Sequence, residues 1–251
     1  MVQRFRSDDV SIAYVDEGEG DPILLIHGFA SNHRVNWVST GWVSMLTGEG
    51  RRVIALDNRG HGESDKPHDS AAYGTPVMAD DAVRLLDHLG IEKTDVMGYS
   101  MGARITAFVG LRHPGRVRSC ILSGLGSGLV RGVGAPGPIA EALLSPAPEE
   151  ITDPAARAFR VFADQTGSDR QALAACITAS RQTLSPEELA KLDAPVLVAV
   201  GTDDDIAGDP VELARLIPNA EAFAIAERDH MKAVGDRSHK AAVSGFLSRR
   251  P

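Results

Sequence analysis

A serine hydroxyl is a poor nucleophile near neutral pH unless a base takes its proton. The base in turn needs an acid that fixes its tautomer and balances its charge. Three stretches of this chain hold groups of these types: Ser100 in Gly98-Tyr99-Ser100-Met101-Gly102, the acidic run Asp203-Asp204-Asp205, and His230. The first lies between a short apolar run, 94–97, and a helix-like segment, 103–113. A serine on such a strand-to-helix turn takes a strained backbone conformation. The glycines two residues to either side leave room for neighbouring backbone, and the hydroxyl points into open space. The acidic run lies just past the apolar run 196–200, and His230 follows the run 220–225 by a short loop. Serine, acid, histidine is the chain order expected for an elbow serine on a parallel sheet, and the chemistry it implies is acyl transfer.

Such groups must be carried by a sheet, and apolar runs do alternate with helical patterns along most of the chain. This alternation predicts an α/β fold with a mostly parallel sheet and helices on both faces. Residues 10–15 alternate as an early antiparallel strand, and 23–26, 53–56, 94–97, 117–122, 196–200 and 220–225 read as later strands. Between them, 80–89 places Val83, Leu86 and Leu89 on one helical face and is closed by Gly90, while 234–247 reads as the last helix. The rhythm breaks after residue 124, where a Gly/Pro-rich stretch, 124–138, leads into helical segments with no strand between them. The expected organisation is a body of residues 1–124 and 194–251 with an inserted helical lid at 125–193. Within the lid, 155–163 sets Phe159 and Phe162 on one helical face, either to dock the lid or to line a substrate pocket.

The 251 residues, 43% hydrophobic and 24% charged, suffice for one large core. The net charge is −8, and no Lys/Arg run exceeds a pair, as in Arg51-Arg52 and Arg249-Arg250. That speaks against nucleic acid and anionic membrane as partners, since both reward clustered positive charge. No apolar run approaches the ~20 residues that span a bilayer, and no signal-like segment is read at the start, so a cytoplasmic location is expected. Cys120 and Cys176 lie far apart without metal-ligand spacing and read as buried free thiols. No metal or cofactor is expected.

Taken together, His27-Gly28-Phe29, Asp57-Asn58-Arg59-Gly60-His61-Gly62-Glu63-Ser64, the Ser100 elbow, the Gly201 acid turn and Asp229-His230 make the chain resemble the α/β-hydrolase superfamily, in its lid-bearing, haloperoxidase/esterase-like branch. The resemblance covers nearly the whole length and implies a roughly eight-stranded sheet. The family pattern of glycine followed three residues later by aspartate selects Asp204 over Asp203 and Asp205. The family's proline four residues after the acid is Gly208 here, which implies a looser turn. Resemblance also implies two oxyanion donors, the backbone N–H groups of Phe29 and Met101. His27, His61 and Asp57 are expected to brace loops, Trp37 and Trp42 to be buried, and Asp229 to be a solvated loop charge. Haloalkane dehalogenases and the related epoxide hydrolases place an aspartate where this chain has Ser100, which argues against both.

The expected function is thus a cofactor-independent serine hydrolase of small or medium carboxylic esters, working through an acyl-enzyme. A carbon–carbon bond hydrolase or a perhydrolase would use the same triad. A non-catalytic ligand-binding protein on a hydrolase scaffold would be expected to have lost a triad member or the oxyanion glycine, and none is missing. Acyl and alcohol specificity, lactone or thioester substrates and self-association are left open by the sequence.

Overall fold

The computed structural model describes residues 1–250. Eight strands form one sheet: β1 (Gln3–Ser7), β2 (Val10–Glu17), β3 (Asp21–Ile26), β4 (Arg51–Leu56), β5 (Thr94–Tyr99), β6 (Val117–Ser123), β7 (Val196–Gly201) and β8 (Ala220–Ile225). Their spatial order is β1-β2-β4-β3-β5-β6-β7-β8. β2 runs antiparallel to both of its neighbours, and every pairing from β4 to β8 is parallel. The seven strands read from the sequence are all present. The eighth, β1, gives little signal because only Phe5 and Ser7 turn inward while Gln3, Arg4 and Arg6 face solvent.

Parallel strands must be joined by crossovers, which here are helical and cover both faces of the sheet. The helices are α1 (Trp42–Gly48), α2 (Thr75–His88), α3 (Met101–Arg112), α4 (Gly128–Arg131), α5 (Gly137–Leu144), α6 (Pro154–Gln165), α7 (Arg170–Ala179), α8 (Pro186–Leu189), α9 (Pro210–Ala214) and α10 (Arg237–Arg249). One apolar core lies between the sheet and α2, α3 and the helices between β6 and β7; the other packs Trp37, Trp42 and Leu46 with Val243 and Phe246 on the opposite face. β5 is buried at every position, as a central strand covered on both sides must be. Two helix starts differ from the sequence reading by three residues or more. α2 begins at Thr75, with Pro76 in its first turn, and α10 begins only after Asp236, whose side chain accepts from Ser238 N–H.

Between β6 and β7 the chain forms α4 to α8 and no strand. Asp153 caps α6 and Asp169 caps α7, each accepting two backbone N–H groups of its first turn. This segment rises over the C-terminal ends of β3 and β5, the end of a parallel sheet where ligands bind. Cys120 and Cys176 are free and buried, and burial pushes both thiols up to about 12. No helix among the described residues is long and apolar enough to cross a membrane.

Candidate active site

Ser100 joins β5 to α3 with φ 56° and ψ −111°, a conformation that non-glycine residues rarely hold. The neighbouring glycines show why the turn is confined to this sequence. A Cβ on Gly98 would be driven into the carbonyl of Gly102, and one on Gly102 into the carbonyl of Ile26 at the end of β3. Backbone thus packs on backbone around the serine, and Ser100 N–H is tied to Ser123 O of β6 at 2.8 Å.

Ser100 Oγ–H donates to His230 Nε2 at 3.0 Å, and His230 Nδ1–H donates to Asp204 Oδ2 at 2.7 Å. The Asp204 side chain is fully shielded, and its Oδ1 accepts from Ile206 N–H at 3.0 Å and Ala207 N–H at 2.9 Å. Both oxygens of this acid are therefore committed, one to the histidine and one to its own loop. Asp203 and Asp205 are exposed; Asp203 accepts from the Thr202 hydroxyl, and Asp205 lines the cavity described below. Asp229 accepts from Met231 and Lys232 N–H and pairs with Lys232 Nζ, a loop charge away from the imidazole.

The expectation of a loose acid turn is not met. Gly208 sits at φ +75°, where a side chain would be strained, and a Cβ there would lie 2.6 Å from Ser127 Oγ. Ala207 O accepts from both Gly126 N–H and Gly128 N–H, so glycine lets the acid loop lock onto the start of α4. Proline's fixed negative φ could not enter this conformation.

Phe29 is the third residue after β3, and its N–H and that of Met101 donate to no other protein group among the described residues. These are the two groups singled out as oxyanion donors. Gly28 N–H is taken by Asn36 Oδ1 at 3.0 Å, which pins the loop, and Ala30 joins Ser100 among the few non-glycine residues with positive φ. Tyr99 donates its hydroxyl to His230 O at 2.6 Å, so the residue beside the serine also holds the histidine loop. Asn36 and Tyr99 were not read from the sequence. Their partners are backbone atoms brought close only by folding.

His27 and His61 bond to loop backbone. His27 Nδ1–H donates to Gly28 O at 2.7 Å, while its Nε2 accepts from Asn58 N–H at 3.0 Å. His61 Nδ1–H donates to Arg59 O at 3.0 Å. Burial lowers the basicity of both, His61 to about 3. Burial is the largest single influence on Asp57 and would raise it, but the His33 hydrogen bond, the nearby His27 and His33 rings and Glu63 N–H together outweigh it and hold the carboxyl at about 2. Trp37 and Trp42 are fully buried.

A cavity of about 740 Å³ opens beside Ser100 and His230. Phe159 and Phe162 of α6 both line it, together with Val35, Val161, Ile206 and Met231. Phe159 also meets Phe29 edge-on, with ring centroids 5.9 Å apart, so one helix face both docks on the body and walls the cavity. The volume suits a small organic molecule.

The fold and these strand-end loops define a class. A family model described as the alpha/beta hydrolase fold matches residues 21–148, and the chain belongs to that family. Among curated proteins, it is 30% identical over 247 residues to the non-heme chloroperoxidase CPO-A1 of Kitasatospora aureofaciens, covering 85% of this chain and 86% of that one. It is 40% identical over 109 residues to a 2-hydroxymuconate semialdehyde hydrolase of Pseudomonas sp. (strain CF600), a match that covers 43% of this chain and 38% of the relative. The chain thus aligns with well under half the length of that relative. Among solved structures, the esterase EaEST from Exiguobacterium antarcticum superposes with a TM-score of 0.81 at 21% identity, covering 98% of this chain and all of that one, a likeness of fold.

Proposed function

We propose that this α/β hydrolase is a serine hydrolase of small or medium carboxylic esters, acting through an acyl-enzyme. The observation that carries this reading is the unbroken relay from Ser100 Oγ through His230 to Asp204, at the edge of an apolar cavity and beside two uncommitted N–H groups. His230 Nε2 takes the proton of Ser100 as Oγ attacks the ester carbonyl. The negative charge that forms on the carbonyl oxygen is met by the N–H groups of Phe29 and Met101, each such donor being worth roughly 3 kcal/mol. The tetrahedral adduct collapses as His230 returns the proton to the leaving alcohol. Water then enters, gives a proton to His230 and releases the acid from Ser100. Asp204 stays ionised, keeps Nδ1 protonated and stabilises the imidazolium. The helical insert acts as the lid, with Phe159 and Phe162 facing substrate.

The test is a panel of p-nitrophenyl esters of increasing acyl length, run on wild type and Ser100→Ala without added metal or cofactor. Turnover by wild type alone is expected; equal turnover by the variant would sink the reading. Carbon–carbon cleavage would draw on the same residues. The similarity to a chloroperoxidase over most of the chain favours a second reading, perhydrolysis, in which peroxide replaces water in deacylation. Peracid formation from acetate and hydrogen peroxide, lost in Ser100→Ala, would select it.

A further inference from the structure

A second, smaller cavity of about 40 Å³ is also lined by Ser100. Its wall includes Met101, Arg104, Ser180 and Arg181. Arg104 lies one turn into α3 and is only 3% exposed, yet its sole protein acceptor is Gln182 O, which Nη1 reaches. No acceptor meets its Nε or Nη2, neither atom is fully enclosed, and Arg104 lines the cavity. Arg181 Nη1 donates to Val133 O at 2.9 Å and Gly134 O at 2.6 Å, again to carbonyls.

Buried arginines are normally neutralised, because an unpaired buried charge is costly. The two others buried to the same degree obey this: Arg59 meets Asp81 at 2.7 Å and Arg160 meets Asp164 at 2.9 Å. Arg104 and Arg181 form no salt bridge among the described residues. Burial, and then the neighbouring Arg181 charge, lower the basicity of Arg104 to about 10. Two cations left unpaired beside each other and beside the serine, in a chain of net charge −8, are a place prepared for an anion.

The two cavities divide the reaction between them. His230, which must protonate the leaving alcohol, lines the large cavity and not the small one. The alcohol arm therefore belongs in the large cavity, and the acyl arm that stays on Ser100 belongs beside the arginines. We propose that Arg104 and Arg181 form a carboxylate subsite, so that the preferred substrate is a half-ester of a short dicarboxylic acid. The planar guanidinium forks match a carboxylate, and the small volume admits only a short arm. The proposal rests on the ester-hydrolase reading and names its substrate class.

The test compares kcat/KM for monomethyl malonate, succinate, glutarate and adipate with that for neutral methyl esters of matched length, measured as methanol release. Wild type is expected to favour at least one half-ester over its neutral match by tenfold or more. Arg104→Gln and Arg181→Gln should each cut that ratio at least tenfold, with Arg104→Lys cutting it less. Arg181 is only partly buried, so its variant keeps the test open if Arg104→Gln fails to fold. Neutral esters hydrolysed with no half-ester preference, or a ratio unmoved in the folded variants, would overturn the subsite and leave the hydrolase reading standing. If no ester is cleaved, titration of wild type with glutarate separates the two ideas. Binding weakened tenfold by Arg181→Gln would support the subsite while the hydrolase reading fails; no binding would overturn the subsite as well.

Discussion

The elbow around Ser100 and the helix α6 above it face the same cavity but are built on opposite principles. At the elbow, backbone meets backbone: Gly98 and Gly102 have carbonyls where a Cβ would stand, and Ser100 holds a strained φ. Along α6, side chains meet open space, with Phe159 and Phe162 partly exposed to the cavity and Val161 40% exposed. Where backbone packs on backbone, residue identity is dictated and function is intolerant of change. Where side chains face a void, many residues would serve, and their choice tunes what enters.

The largest expected effect lies in the relay that the elbow presents. Asp204→Asn should lower kcat by about 10⁴-fold with little change in fold, because an amide leaves His230 in the wrong tautomer. A loss under tenfold in steady-state assays would show that another group orients the imidazole. Next comes a paired glycine test. Gly102→Ala should destabilise by more than about 3 kcal/mol or prevent folding, since the rigid carbonyl of Ile26 cannot yield. Gly137→Ala at the start of α5, where a Cβ would meet nothing within 4 Å, should move stability by about 0.5 kcal/mol or less in urea unfolding. Similar costs at the two sites would dissolve the contrast.

The histidines divide in the same way. His230 is open to the cavity, whereas His239 is sealed, donating from Nδ1 to Ala233 O and accepting the Ser123 hydroxyl at Nε2, and burial lowers it to about 4. Its folded-state value lies below its unfolded value of 6.5, so its contribution is fully present above pH 6.5 and is lost as pH falls toward 4. The loss at pH 4 is about 3 kcal/mol, read as the fall in urea-unfolding stability relative to His239→Gln. A fall equal in the variant would assign acid sensitivity elsewhere. The smallest effect belongs to α6. Phe162→Ala should change kcat/KM about tenfold for esters of bulky alcohols and about twofold for methyl esters. Equal changes for both would remove it from the alcohol wall.

The same contrast explains what could be read in the sequence. Gly98, Ser100 and Gly102 are legible because sterics leave few alternatives, and the buried strands because covered parallel strands are runs of apolar residues. Asp204 was separable from its acidic neighbours only by family pattern, since the choice depends on two loop N–H groups that close on one carboxylate. β1 was missed because an edge strand with alternating arginines carries almost no apolar signal. Arg104 was missed as well. Its trace was a cation in the first turn of a largely apolar helix, one turn from the serine.

The most direct measurement is covalent labelling by a fluorophosphonate, which reacts with an activated serine and is read by intact mass and peptide mapping. One adduct per chain on Ser100 in wild type, and none in Ser100→Ala, is the expected result. An adduct on another residue, or ester turnover by Ser100→Ala at the wild-type rate, would contradict the assignment of Ser100 as the nucleophile.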